Sequence, residues 1–137
     1  MKDVIAQRIF DSWLNATPEC RASKAENRHL IYEGDGVVLD LLLKQRGDGT
    51  GIYIGGQVLP DEQLDENVSD LEVTMERGRQ RLHTRTNALG EFSFQTVPDG
   101  TLNLSIVLGN RRFRFRGLTS QEPRMWSVAP SFAGGGD

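Results

Sequence analysis

The stretch that decides the fold runs from Gly90 to Leu108 and reads GEFSFQTVPDGTLNLSIVL. Its first part alternates phenylalanine with polar residues, and its last part alternates leucine or isoleucine with mostly polar residues. An alternation of period two is typical of strands that bury one face. Between the two parts lies VPDG, Val97–Gly100, in which proline presets φ and glycine tolerates a positive φ. The stretch therefore predicts two strands joined by a tight connection.

The same alternation recurs along most of the chain between residues 28 and 117. Turn sequences interrupt it at short intervals, for example at Gly34–Gly36 (GDG) and at Gly109–Asn110. Short strands separated by turns, with no helical segment between them, are typical of a β-sandwich. We therefore predict an all-β fold, a sandwich of seven to eight strands that occupies residues 27–118.

The two ends of the chain do not share this pattern. Residues 1–26 carry large apolar side chains, among them Phe10 and Trp13, whose spacing fits a helix face as well as a strand. These residues either cover an open end of the core or anchor another protein. Residues 119–137 contain two prolines, a run of glycines and Trp126, which either folds back on a sheet or docks on a partner. We expect a short N-terminal segment packed on the sandwich and a flexible C-terminal tail.

Composition and charge restrict the function. The 137 residues suit one domain, and 16 basic against 19 acidic residues give a net charge of −3, which argues against nucleic acid as the main partner. The single cysteine, Cys20, excludes an intrachain disulfide and is typical of a reducing compartment. The N-terminus does not have the pattern of a signal peptide, and no apolar segment approaches the roughly 20 residues of a membrane span. We expect a cytoplasmic protein that does not bind a membrane.

Four blocks of the sequence resemble the carboxypeptidase regulatory-like domain. They are IGGQV at Ile54–Val58, LEVTM at Leu71–Met75, TRTNALGEFSF at Thr84–Phe94 and VPDGTLNL at Val97–Leu104. Their order is that of the family, and together they span about residues 37–117. The resemblance implies a transthyretin-like (prealbumin-like) Greek-key sandwich, and it implies little about function.

Two flanking segments are similar to small bacterial stand-alone proteins of this type. These segments are RIFDSW at Arg8–Trp13 and RHLIYE at Arg28–Glu33. Such proteins are associated with alternative sigma factors and with caspase-like (CHAT) proteases. The resemblance therefore implies a role in bacterial signalling, with a sigma factor or a protease as the partner.

Few side chains in the sequence could carry catalysis or hold a metal. The two histidines, His29 and His83, belong to separate predicted strands and lack the spacing of metal ligands. A hydrolytic or metal site needs several convergent histidine, cysteine or acidic side chains. We therefore expect no enzymatic activity, no catalytic residue, no cofactor and no bound metal.

The arginines are the strongest functional lead. Arg112, Arg114 and Arg116 alternate with phenylalanines and therefore share the outer face of one predicted strand. Arg79 and Arg81 belong to an earlier hairpin that could extend this stripe across the sheet. Such a stripe could meet an acidic protein or a phosphate backbone. It could equally protect an edge strand from aggregation.

These observations favour a non-catalytic protein–protein interaction module. Its predicted partner-binding residues combine the arginine stripe with the apolar flanks: Arg112, Arg114, Arg116, Arg79, Arg81, Phe10, Trp13 and Trp126. The alternative is a β-sandwich module that binds a small ligand or a carbohydrate. The first hypothesis predicts a flat surface lined by arginines or apolar residues, whereas the second predicts a pocket with convergent polar groups.

Overall fold

The computed structural model describes residues 1–12, 27–45, 51–61, 63, 66–98 and 100–119. This part of the chain is almost entirely β-structure, which confirms the predicted all-β sandwich. Its ten strands are β1 (Lys2–Ile5), β2 (Gln7–Asp11), β3 (Asn27–Gly34), β4 (Val37–Gln45), β5 (Ile52–Pro60), β6 (Glu72–Arg77), β7 (Gln80–Arg85), β8 (Glu91–Val97), β9 (Leu102–Leu108) and β10 (Arg111–Leu118).

The strands form two sheets of five. Sheet A has the order β1-β10-β9-β6-β7, and sheet B has the order β2-β3-β4-β5-β8. Neighbouring strands are antiparallel, except that β1 runs parallel to β10. The strands on either side of the VPDG turn, β8 and β9, belong to different sheets, so this connection crosses the sandwich instead of closing a hairpin.

The N-terminal segment is part of both sheets. Residues 2–11 form strands, which resolves the choice between helix and strand for this stretch. β1 pairs with β10 and β2 pairs with β3, and the buried Ala6 joins the two strands. Residues 27–118 contribute eight strands, within the predicted range. The total of ten exceeds the predicted seven to eight because this segment adds a strand to each sheet instead of packing on the sandwich.

The core lies between the sheets and follows the sequence alternation. In β4, for example, Leu39, Leu41 and Leu43 are buried, whereas the residues between them face outward. Phe92 and Phe94 of β8 are buried beside each other with their rings 6.3 Å apart in an edge-to-face arrangement. The remaining large buried side chains include Leu30, Ile52, Ile54, Met75, Leu102, Leu104, Ile106, Phe113 and Phe115.

Two turns have the backbone that their residues predict. In the β3–β4 hairpin, Asp35 and Gly36 have φ angles of 49° and 80°, as a two-residue turn of type I′ requires. Gly90, before β8, has a φ of 80°, and a Cβ added there would lie 2.7 Å from the carbonyl oxygen of Val58. Both local strain and lack of space therefore favour glycine at this position.

A buried ion pair holds the N-terminal strand to the sandwich. Arg28 of β3 faces inward and donates two hydrogen bonds to the carboxylate of Asp11 in β2. Both side chains are only 3% exposed. The same guanidinium donates a hydrogen bond of 2.7 Å to the carbonyl oxygen of Thr119, just after β10. One buried arginine therefore links the edge of sheet B to the end of the last strand of sheet A.

Candidate functional site

Three arginines form a ribbon on the outer face of sheet A. Arg112, Arg114 and Arg116 occupy every second position of β10, while Phe113 and Phe115 point into the core between them. The sequence alternation alone produces this division, because successive side chains of a strand point to opposite faces. We call these three residues the arginine ribbon.

Two of the ribbon arginines lack a carboxylate partner among the described residues. Arg114 forms an ion pair with Asp3 of the neighbouring β1, with 3.2 Å between Nε and Oδ1. Arg112 and Arg116 have no acidic group within ion-pair distance in the same part of the chain. Arg114 and Arg116 also border a shallow depression of about 350 Å³ on this face. The ribbon therefore presents two arginines without an ion-pair partner among the described residues, on a strand that has neighbours on both sides.

The second group of predicted arginines lies farther away. Arg81 is in β7, and the strands β9 and β6 separate it from β10. Three strand spacings correspond to about 14 Å. Arg81 also pairs with Glu76 of β6, with 2.9 Å between Nε and Oε2, and Arg79 lies exposed in the β6–β7 turn. The structure brings Arg112, Arg114 and Arg116 together, and it places Arg79 and Arg81 beyond a strand that carries acidic residues.

The predicted apolar contacts are only partly described. Phe10 is half-buried on the outer face of sheet B, where its ring meets His29 edge-on with centroids 5.4 Å apart. Trp13 and Trp126 lie outside the described residues, as does the C-terminal tail from residue 120. Two other apolar side chains near the sandwich edge are more exposed, Ile5 at 52% and Ile9 at 55%. Ile5 lies beside Arg114 in the β1–β10 pairing.

Sequence reasoning did not single out Arg111, whose side chain is only 15% exposed. Its guanidinium contacts the carboxylates of Asp35 and Glu66, and it lies 5.1 Å from the ring centroid of Phe113. The hydrogen bond from Arg111 lowers the pKa of the Asp35 carboxyl below its ordinary value, and the charge of Lys2 adds to this effect. Arg111, Phe113 and Phe115 occupy every second position of β10, so Arg111 lies on the inward face of the strand, in contrast to the arginine ribbon.

The histidines do not meet. His29 is in β3 of sheet B and His83 is in β7 of sheet A, so the core separates them. His29 contacts Asp40 across the strand pair, with 2.6 Å between Nε2 and Oδ1. Within the described part of the chain, no cluster of three or more histidine, cysteine or acidic residues could hold a metal ion.

The outer face of sheet B contains an open cleft of about 660 Å³. Gly55 and Gly56 of β5 form its base, and Tyr53 and Leu42 line one part of it. The pairing of both glycines with β4 and β8 continues in register, so they mark a close approach of side chains and not a bulge. Polar side chains complete the lining, namely Asp40, Gln57, Thr84, Arg85, Asn87, Glu91 and Ser93.

The fold defines the chain as an all-β sandwich with a charged face and a polar cleft. Comparisons with protein-family models, with curated proteins and with solved structures found no match to this chain. The resemblance to the carboxypeptidase regulatory-like domain therefore depends on the four sequence blocks alone.

Within the described ranges, no helix has both the length and the apolar character that crossing a lipid bilayer requires.

Proposed function

We propose that the chain is a non-catalytic protein-interaction module whose arginine ribbon binds an acidic segment of a partner protein. The observation that carries this proposal is that Arg112 and Arg116, on the outer face of β10, have no ion-pair partner among the described residues. A cation without a carboxylate partner attracts an acidic surface, and complementary charge speeds association and selects the partner.

The spacing of the ribbon indicates the shape of the partner segment. Alternate residues of a strand lie about 7 Å apart, and the acidic side chains of an extended peptide with acids at every second position have the same spacing. β1 and β9 flank β10, so such a peptide would lie across the sheet face and not add a strand to it. The exposed Ile5 beside Arg114 offers an apolar contact at one side of this path.

The family resemblance supplies the proposed partner class. It implies a bacterial cytoplasmic signalling protein that holds a sigma factor or acts with a caspase-like protease. An acidic, extended segment of either protein would fit the ribbon. Charge pairs on an exposed face are screened by salt, so this interaction should weaken as ionic strength rises.

A labelled peptide with alternating glutamate and serine tests the ribbon directly. We expect Arg112→Gln combined with Arg116→Gln to weaken its binding about tenfold, which corresponds to about 1.4 kcal/mol. Fluorescence anisotropy at low and at high salt measures the effect. Arg79→Gln combined with Arg81→Gln is the matched control, because it changes the net charge by the same amount away from the ribbon.

The control decides between a specific site and general attraction. An equal loss of peptide binding in both double variants would show that only the net charge matters. Binding that is unchanged in the ribbon variant would contradict the proposal. A sigma factor or protease encoded by a neighbouring gene should then be measured with the same pair of variants, and it should follow the peptide.

A further inference from the structure

The cleft on sheet B is separate from the proposed protein-binding ribbon, which lies on the opposite sheet. Its volume of about 660 Å³ falls within the range of roughly 300–1,000 Å³ that small-ligand sites occupy. Residues from β4, β5, β7 and β8 line it, so a strand framework holds its shape.

The glycine at position 55 has no side chain, and this leaves room for an aromatic ring at the base of the cleft. On the outer face of sheet B, Gly55 lies in register between Leu42 of β4 and Ser93 of β8. The ring of Tyr53 folds over this position, since a Cβ added at Gly55 would lie 2.7 Å from the tyrosine hydroxyl and 3.0 Å from the ring. The cleft therefore contains an aromatic ring that lies against the backbone of Gly55.

A row of hydrogen-bond acceptors runs beside this ring. Asp40, Gln57 and Glu91 are direct cross-strand neighbours on β4, β5 and β8, and all three line the cleft. Two strand spacings place the two carboxylates about 10 Å apart with the amide of Gln57 between them.

Neighbouring groups hold each member of the row in place. His29 contacts Oδ1 of Asp40 at 2.6 Å, Asn87 donates to Oε1 of Glu91 at 3.0 Å, and Gln57 donates to the carbonyl oxygen of Leu89 at 3.1 Å. One acceptor oxygen of each group takes no hydrogen bond from the other described residues: Oδ2 of Asp40, Oε2 of Glu91 and Oε1 of Gln57. Side chains that are ordered before binding lose less entropy when a ligand arrives.

The hydrogen-bond donors and acceptors that line the cleft indicate which class of ligand it fits. Beside the acceptor row, the hydroxyls of Tyr53 and Ser93 can donate, and so can the guanidinium nitrogens of Arg85 other than Nη1, which donates to the carbonyl oxygen of Asp70. An ammonium group only donates, so it would leave these donors unpaired, and a phosphate would meet two carboxylates. Vicinal hydroxyls both donate and accept. The geometry points to a neutral carbohydrate, with one pyranose face on the Tyr53 ring and its hydroxyls on the Asp40–Gln57–Glu91 row.

Titration of the ¹⁵N-labelled full chain with neutral tetrasaccharides tests this inference. The probes are maltotetraose, cellotetraose, xylotetraose and chitotetraose, with spermidine as a cationic probe. We expect at least one sugar to shift the amide signals of Gly55, Gln57 and Ser93, and spermidine to leave them unchanged. The ribbon variant Arg112→Gln, on the opposite sheet, should bind that sugar as the unmodified chain does.

Two cleft variants complete the test. Gly55→Ala pushes the Tyr53 ring out of its position and should weaken sugar binding about tenfold. Glu91→Gln keeps the size of the side chain but removes the charged acceptor, and it should weaken binding about as much, so the test does not depend on the folding of one variant. No signal shift with any tetrasaccharide, stronger binding of spermidine at the same amides, or full affinity in both variants would each overturn the inference.

Discussion

The outer faces of the two sheets are built by the same alternation and yet differ in shape and chemistry. On sheet A, Arg112, Arg114 and Arg116 cover the surface of β10 with long charged side chains. On sheet B, Gly55 leaves an outward position of β5 without a side chain, the ring of Tyr53 lies over that position, and a cleft opens beside it. The length of the outward side chains can therefore give each outer face of a β-sandwich a different shape and chemistry, while one core supports both.

The largest effect should come from a change that removes both faces at once. Asp11→Ala leaves Arg28 buried without the carboxylate that accepts two of its hydrogen bonds. Breaking a buried ion pair by removing one partner costs about 3–5 kcal/mol. We expect a large fall in the urea midpoint. At urea concentrations that unfold this variant but not the unmodified chain, peptide binding at the ribbon and sugar binding at the cleft should be lost together.

The control for this prediction is Asp3→Ala, which breaks the exposed pair with Arg114. An exposed ion pair contributes about 0–1 kcal/mol, so the urea midpoint should change little. Equal midpoints for the two alanine variants would contradict the structural role of the buried pair.

The second-largest effect should be a difference in the free energy of unfolding between alanine variants of the adjacent Gly55 and Gly56. Gly56 faces the core, where an added Cβ would lie 2.5 Å from Cζ of Phe92 and 2.9 Å from Cδ2 of Leu41. Overpacking of a core typically costs about 1–3 kcal/mol, so Gly56→Ala should lower the free energy of unfolding by that amount.

Gly55→Ala should change the free energy of unfolding by no more than about 0.5 kcal/mol, because the mobile ring of Tyr53 can yield. Thermal unfolding of both variants under the same conditions gives the comparison. If Gly55→Ala were the less stable of the two, the assignment of one glycine to each face of the sheet would be wrong.

A smaller effect on stability is expected on the outer face of sheet A, where a change in the arginine ribbon should alter peptide binding but not the free energy of unfolding. Arg112→Gln with Arg116→Gln removes two outward charges that have no acidic partner among the described residues. Such surface changes usually stay within about ±0.5 kcal/mol. We expect an unchanged melting temperature in calorimetry together with weaker peptide binding. A clear loss of stability would instead assign a structural role to the ribbon.

The smallest effect is the pH dependence of the stability that Asp35 contributes at the end of the sandwich, where the β3–β4 turn meets β10. Arg111 lowers the pKa of Asp35, so the stabilisation from this carboxylate is present above its ordinary pKa and is lost as pH falls through the lowered value. Asp35→Asn keeps a residue that tolerates the positive φ but removes the charge.

Urea unfolding at two pH values measures this contribution. The unmodified chain should be slightly more stable than Asp35→Asn near pH 6, and the difference should shrink as the pH falls below the ordinary pKa of an aspartate carboxyl. A difference that stays constant, or grows, at low pH would contradict the assignment.

Much of the fold could be predicted because strand periodicity is local. The alternations in β4, β8, β9 and β10 identified the buried residues, and the GDG sequence identified the β3–β4 turn. The inward position of Phe92 and Phe94 and the outward position of the arginine ribbon follow from the same rule.

The rest depended on contacts between distant residues. The pairing of Arg28 with Asp11 spans 17 positions, and the contact of Arg111 with Asp35 spans 76. No alternation signals such pairs. The cleft combines residues of four strands, so its polar row could not be recognised from any one segment.

For residues 27–118, local sequence was enough to predict which segments become strands, which face of each strand is buried and where the chain turns, because these properties depend on neighbours within a few residues. Only the tertiary structure decided which strands pair. It placed β8 beside β5 and β9 between β6 and β10, and it added residues 2–11 to one edge of each sheet. The physical reason is that several pairings can bury the same apolar faces, and the choice between them depends on long-range packing and on buried polar groups such as Arg28 that need a particular partner.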